Sequence, residues 1–434
     1  MPASSMLGLL KRQRFLPYFL TQFFGAFNDN VLRQALILFI TTSAVSSFSP
    51  NLLNNIALAL FILPFFLFSG LAGQFADKFD KAKLVFWVKL AELVLMLLAA
   101  IGFYYQSLWG LMAVLFAMGF QSTCFGPIKY SIMPQHLSRQ ELVAGNALVQ
   151  QGTYVAILLG SVMGVLLNAS FAAPWWGSTA LIIVALSGLA SSYFVPAAPS
   201  QVPDLKINWN PISETIKVMM YAKRKKAVWI AVLSVSWFWF LGAAYTTQLK
   251  VYVDDYLHAG ETVYALLLMV FSFGIGLGSW ACKAISKGEL KLFLVPLGAL
   301  GITIFGVDLY FAYQSLLAER SDTVAGFLAL NGVWRLLLDL LFIGVGGGFY
   351  VVPLFTYIQQ ATEEAYRARV IAACNVLNAL FMVLSAVFSI VLLSALAFTL
   401  PMYFLTLAIL SLAVSMYLLS RVPEFSVRPL IGRK

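Results

Sequence analysis

Twelve stretches of about 20 or more mostly apolar residues run through this sequence, and a water-soluble fold has no place for so many. They lie at 15–42, 52–75, 84–105, 108–133, 145–168, 177–198, 227–251, 262–283, 290–313, 326–355, 368–395 and 399–420. In a bilayer every backbone N–H and C=O must pair within the protein, so stretches of this length are read as spanning helices. The chain has 434 residues, 11% of them charged and 61% hydrophobic. A soluble domain carries roughly a quarter charged residues. The expected fold class is therefore an all-α integral membrane protein with twelve transmembrane helices. The stretch 326–355 is long, and is expected to begin with a piece lying along the outer surface.

Basic residues set the orientation. With the N-terminus inside, 22 Lys and Arg of the connecting segments and tails fall inside and one, Arg320, falls outside. Both termini are expected in the cytoplasm. The net charge of +10 then belongs to the cytoplasmic face and calls for no nucleic acid. Lys11, Arg12 and Arg14 precede the first apolar stretch without a small-residue cleavage site, as expected of a retained first helix rather than a signal peptide. Cys124, Cys282 and Cys374 are scattered through apolar stretches and make neither a disulfide framework nor a metal site. The two histidines, His136 and His258, lie in loops, and no P-loop is present. No enzyme, cofactor or metal is expected, and ATP-driven transport is disfavoured.

Residues 199–226 divide the helices six and six, giving halves 1–198 and 227–434 with a short tail. Within this link "NPISETIKVMMYAK" can form an amphipathic helix on the membrane surface. The simpler reading, a tethered linker with a basic stop signal, is preferred over a regulatory role. The halves carry weak internal repeats. "FGPIKYSIMPQ" at 125–135 aligns with "VVPLFTYIQQA" at 351–361, and "AGNALVQQ" at 144–151 with "ACNVLNAL" at 373–380. "GQFADK" at 73–78 matches "GSWACK" at 278–283. Transporters are commonly built from such duplications.

The loop "GQFADKFDKAK" at 73–83 resembles the cytoplasmic signature loop of the major facilitator superfamily, with Asp80 where that pattern usually has Gly. Gly73 would let two helices approach closely. Asp77 can face the N-terminus of a helix in the other half, where the dipole favours a carboxylate. Gly73, Asp77, Lys78 and Lys81 are thus candidates for a cytoplasmic gate, against the plain alternative of an ordinary basic loop. The second copy has Cys282 in place of the Asp, which argues against a matching lock there.

Charged residues inside spans cost several kcal/mol or more unless paired or facing a cavity. Arg335 and Asp339, four apart, read as a structural ion pair. Lys89 and Glu92 read as snorkelling or structural, and Asp308 as near enough to the outer end of its helix to reach water. Asp29 lies about 21 Å into the first helix at 1.5 Å per residue, near mid-membrane, with Asn28, Asn30 and Arg33 beside it. Further candidates for the central cavity are Gln121 and Lys129 in the fourth helix, Asn146 and Gln150 in the fifth, and Tyr245 and Gln248 in the seventh. The first half is the more polar, which suits a substrate with a charged head and an acyl chain.

"AFNDN" at 26–30, "ADKFDKAKL" at 76–84, "FGPIKY" at 125–130 and "GNALVQ" at 145–150 resemble the lysophospholipid transporter family of the major facilitator superfamily. The resemblance covers nearly the whole chain, and is greatest to the transporter domain that some bacteria fuse to a lysophosphatidylethanolamine acyltransferase. "WRLLLDL" at 334–340 and "SWFWFLGA" at 236–243 resemble that branch too. The resemblance implies movement of lysophospholipid, chiefly the ethanolamine form, from the outer to the inner leaflet of the bacterial inner membrane. It maps the family's charged cavity residues onto Asp29 and Lys129, and a helix 7 Arg of the stand-alone branch onto Gln248. Lys129 would take the phosphate and Asp29 the ammonium. The expected partners are lysophospholipid, membrane lipids and a lysophospholipid acyltransferase on a separate chain or outside this sequence. The protein is expected to be a monomer. Two alternatives stay open: a proton-coupled exporter of drugs or small amphiphiles, and a non-transporting partner that recruits an acyltransferase.

Overall fold

A computed structural model describes residues 6–42, 50–166, 176–314, 323–422 and 425. Arg320 and the tail residues Arg428, Arg433 and Lys434 lie outside the described residues. Among the described residues the twelve long helices are α1 (Leu16–Thr42), α2 (Pro50–Lys78), α3 (Lys81–Tyr104), α4 (Leu108–Ser131), α5 (Leu142–Leu166), α6 (Trp176–Tyr193), α7 (Lys226–Val251), α8 (Glu261–Ser286), α9 (Leu294–Gln314), α10 (Val333–Ala361), α11 (Arg367–Ser389) and α12 (Leu400–Ser420). Among the described residues eleven helices are long and apolar enough to cross a membrane. The other long helix, α1, has 27 residues and carries the polar group Asn28 to Arg33. The protein is a multi-pass membrane protein, its long helices following from its long apolar stretches.

Local chemistry sets several boundaries. Asp80 caps α3 by accepting hydrogen bonds from the Ala82 and Lys83 amides (2.9 and 3.1 Å), a role a glycine cannot fill. Ser107 caps α4 by accepting from the Gly110 amide. The long tenth stretch is broken. A short helix, Val324–Ala329, precedes α10, and Gly332 makes the turn between them at φ 86°, a conformation that favours glycine. Residues 211–224 of the link form a separate helix, Pro211–Arg224.

The chain forms two compact units. Unit 1 is Met1–Gly145, Val155–Ala222 and Gln359–Val376; unit 2 is Asn146–Tyr154, Lys223–Ile358 and Leu377–Lys434. The two sets of six helices repeat the same pairings. In the first set α2 packs on α4, and α6 on α1 and α3. In the second, α12 packs on α7 and α9, while α8 lies against α10 backbone to backbone. A Cβ at Gly278 or Gly344 would run into the carbonyl of Val345 or Phe271, and one at Gly348 would lie 2.6 Å from the Ile275 oxygen. Small residues permit such close helix contacts in lipid, where burying apolar side chains gains little.

Candidate functional site

The polar stretch of α1 belongs to a network inside unit 1. Its centre is an ion pair that the sequence leaves as a snorkelling or structural detail: Lys89 Nζ lies 2.6 Å from Glu92 Oε2, with side chains 1% and 0% exposed. A buried pair is tolerable only if its remaining hydrogen-bonding capacity is used. Here the Asn28 amide donates to Glu92 Oε1 (3.2 Å) and the Gln121 amide to Glu92 Oε2 (3.1 Å). The Lys89 ammonium also sits 5.2 Å from the Phe125 ring centroid. Gly25 leaves it room, since a Cβ there would collide with Lys89 Nζ.

The network runs on to Asp29. The Ser122 hydroxyl lies 2.8 Å from Asp29 Oδ2 and 3.3 Å from Gln121 Oε1. Asp29 Oδ1 is buried and has no hydrogen-bond partner among the described residues, so this carboxylate keeps one acceptor unsatisfied. Arg33 donates to Asn30 Oδ1 (2.7 Å). Lys129, half-buried, lies within electrostatic reach of Asp29 and 5.5 Å from the Tyr130 ring centroid, while Tyr18 donates to its backbone carbonyl. Asn28, Asp29, Gln121 and Lys129 thus share one region with Lys89, Glu92 and Ser122. An unsatisfied carboxylate oxygen and a nearby ammonium can pair with a zwitterionic group, and stronger electrostatics in a low dielectric favour this. Among the described residues no group of His, Cys, Asp and Glu could hold a metal ion.

A second cluster in unit 1 surrounds Asp77. Its carboxylate accepts from the Ala368 amide (3.2 Å), the Arg369 amide (3.4 Å) and Arg369 Nε (3.0 Å). Ala368 and Arg369 open α11, so Asp77 sits at the positive end of that helix dipole. Gly73 permits the approach: a Cβ there would lie 2.7 Å from the Ala372 Cβ and 2.9 Å from the Arg369 Cα. Lys81 is buried beside this cluster, within electrostatic reach of Asp77. Lys78 instead lies over the Phe79 ring.

The candidates in unit 2 have other surroundings. Asn146 is fully buried and donates to Thr356 Oγ1 (3.0 Å). Gln150 is buried, its amide nitrogen unpartnered among the described residues. Tyr245 stacks on Phe404 at 5.4 Å and helps line a small apolar recess with Phe238, Leu241, Gly242, Phe271 and Ile343. Gln248 is not among its lining residues. Lys250, two residues on, is held by Asp254 and Glu261 at 2.7 and 2.8 Å. The Arg335–Asp339 pairing gives way to a different one. Arg335 makes two hydrogen bonds to Asp308 in α9 (3.0 and 2.5 Å), the forked geometry a guanidinium favours with a carboxylate, and Asp339 stays within electrostatic reach of both.

The Major Facilitator Superfamily sequence pattern matches residues 18–318. Lysophospholipid transporter LplT of Photorhabdus laumondii is 25% identical over 371 residues, 84% of each chain. The protein of that name from Klebsiella pneumoniae is 28% identical over 356 residues, 80% of each chain. Among solved structures, the human organic anion transporter MFSD10 superposes with a TM-score of 0.74 at 13% identity, over 94% of this chain and 99% of that one. The Escherichia coli fucose:proton symporter gives 0.71 at 12%, over 95% and 100%. These likenesses show the fold.

Proposed function

We propose that this chain, which belongs to the Major Facilitator Superfamily, transports lysophospholipid across a bacterial inner membrane, outer leaflet to inner, with both termini cytoplasmic. The observation that carries the reading is the contrast between the units. Unit 1 offers an unsatisfied carboxylate oxygen at Asp29 and an ammonium at Lys129; unit 2 offers a small apolar recess lined in part by Gly242, where a Cβ would meet no described atom within 4 Å. A lysophosphatidylethanolamine head carries an ammonium and a phosphate, and its single acyl chain needs only an apolar wall. The relatives named lysophospholipid transporter, at 25–28% identity over four-fifths of the chain, support the substrate class. Asp77 in α2 holds the start of α11, and alternating access between halves 1–198 and 227–434 would require that contact to part. Inward flipping needs no ion gradient if an inner-leaflet acyltransferase consumes the product.

The test is translocation of labelled lysophosphatidylethanolamine by purified protein in liposomes, with and without a proton gradient. Gradient-independent uptake that falls at least tenfold in Asp29→Ala and in Lys129→Ala is expected. Absence of uptake by folded protein under both conditions would overturn the substrate. Normal uptake by both variants would overturn the site.

A further inference from the structure

We propose that the helix Pro211–Arg224 is a lipid-binding element that seats on an anionic bilayer surface and ties that surface to the Asp77–Arg369 cluster. At about 100° per residue this helix has three faces. Glu214, Val218 and Ala222 are buried in the protein. Ile212, Ile216 and Met220, each four residues apart, form a stripe 66%, 51% and 55% exposed. Ser213, Lys217 and Arg224 are exposed on a third face beside that stripe. A helix between protein and water needs only two faces. An uncovered apolar face between a buried one and a cationic one suits a helix lying in a membrane interface. Trp209, just before the helix, is 72% exposed and meets Phe75 edge-on, and tryptophan favours that depth of the bilayer. Lys206, Lys217, Lys223, Arg224, Lys225 and Lys226 far outnumber Asp204 and Glu214 in residues 204–226, so the complementary surface carries anionic head groups.

The inner face of this helix reaches the lock. Glu214 Oε1 lies 3.8 Å from the Arg369 guanidinium, whose Nε holds Asp77. The Tyr221 ring stacks on Tyr366 at 4.1 Å, and Tyr366 in turn lies 4.3 Å from the guanidinium of Arg369. Upstream, Gln74 exchanges two hydrogen bonds with the Asn208 backbone (2.7 and 3.0 Å). A helix held down by lipid keeps Glu214 and Tyr366 against Arg369, and so keeps the start of α11 on Asp77.

The experiment uses the full chain in nanodiscs and does not depend on the identity of the transported substrate. Nitroxide labels are placed singly at Ile212→Cys, Ser213→Cys, Ile216→Cys and Lys217→Cys, with the native cysteines replaced. Labels at 212 and 216 are expected to collide preferentially with oxygen, and those at 213 and 217 with a water-soluble nickel complex. In a second background that keeps only Cys374, which is buried in α11, maleimide labelling is expected to slow severalfold when phosphatidylglycerol is added to phosphatidylcholine. Lys217→Gln with Arg224→Gln should abolish that difference. Nickel access at all four positions would overturn lipid seating; protection of 212 and 216 from both reagents would also overturn it, in favour of a protein partner. Equal labelling in both lipids would overturn the link to the lock.

Discussion

Lys89 and Glu92 meet at 2.6 Å, one turn apart on α3, with neither side chain reaching solvent. Removing one partner leaves an uncompensated buried charge. Lys89→Met or Glu92→Gln is therefore expected to destabilise the protein by ~3–5 kcal/mol, read as a loss of thermal stability in detergent. The double variant Lys89→Met with Glu92→Leu should regain much of that stability. It should not regain transport, because Asn28 and Gln121 lose the acceptor that orients them. Full recovery of transport would reduce the pair to scaffolding.

Asp77→Asn keeps the size of the side chain and removes its charge. Hydrogen bonds to charged groups contribute about 1.5–3 kcal/mol, so the start of α11 should separate from α2 roughly ten- to hundredfold more often. Cys374 reports this directly, because it is buried in the second turn of α11. Its maleimide labelling should accelerate by about that factor, and Arg369→Gln should act in the same direction.

Gly73 and Gly242 have opposite surroundings, so enlarging them should do opposite things. Gly73→Leu drives a side chain into Ala372 and Arg369 and should impair both assembly and transport. Gly242→Leu enters open space and should fold normally. By filling the recess it should raise the KM for long-chain lysolipids more than for short-chain ones, measured across an acyl-length series in liposomes.

Outside the spans, Glu141 accepts from Arg14 at 2.6 Å and from the Ser138 amide and hydroxyl at 3.0 Å. Its burial opposes ionisation, but the Ser138 amide and Arg14 outweigh that and hold its pKa below the ordinary glutamate value. A lowered folded pKa contributes stability above the unfolded value, lost as pH falls through the folded one. Glu141→Gln should therefore cost up to about 1 kcal/mol at neutral pH, as exposed ion pairs do. The difference from wild type should vanish at pH values below the folded pKa, as followed by thermal unfolding across a pH series.

The twelve helices were legible because a bilayer demands about 20 apolar residues per crossing, a requirement visible in one dimension. Asp29 stood out because a carboxylate near the middle of a span is costly. The partners were not legible. Lys89 and Glu92 look like a pair near a helix end until α1 and α4 close over them, and Gly25 shows no purpose until the ammonium fills the space beside it. Arg335 has a carboxylate one turn away on its own helix, and only the packing of α9 reveals Asp308. Asp80 departs from the signature loop's usual glycine, and the reason, the N-cap of α3, lies in a backbone geometry that spacing alone does not display.

In the seam of α8 and α10, Gly274, Gly278, Gly344 and Gly348 bring main chain against main chain. Side chains can change rotamer to absorb a displacement; peptide planes in contact cannot. The two helices should therefore behave like bonded laminae, stiff against sliding, and any bending in unit 2 is displaced to its other joints. In evolutionary terms the seam is brittle. Elsewhere a lipid-facing residue can drift among apolar types at little cost, but here a single added methyl forces the two helices apart.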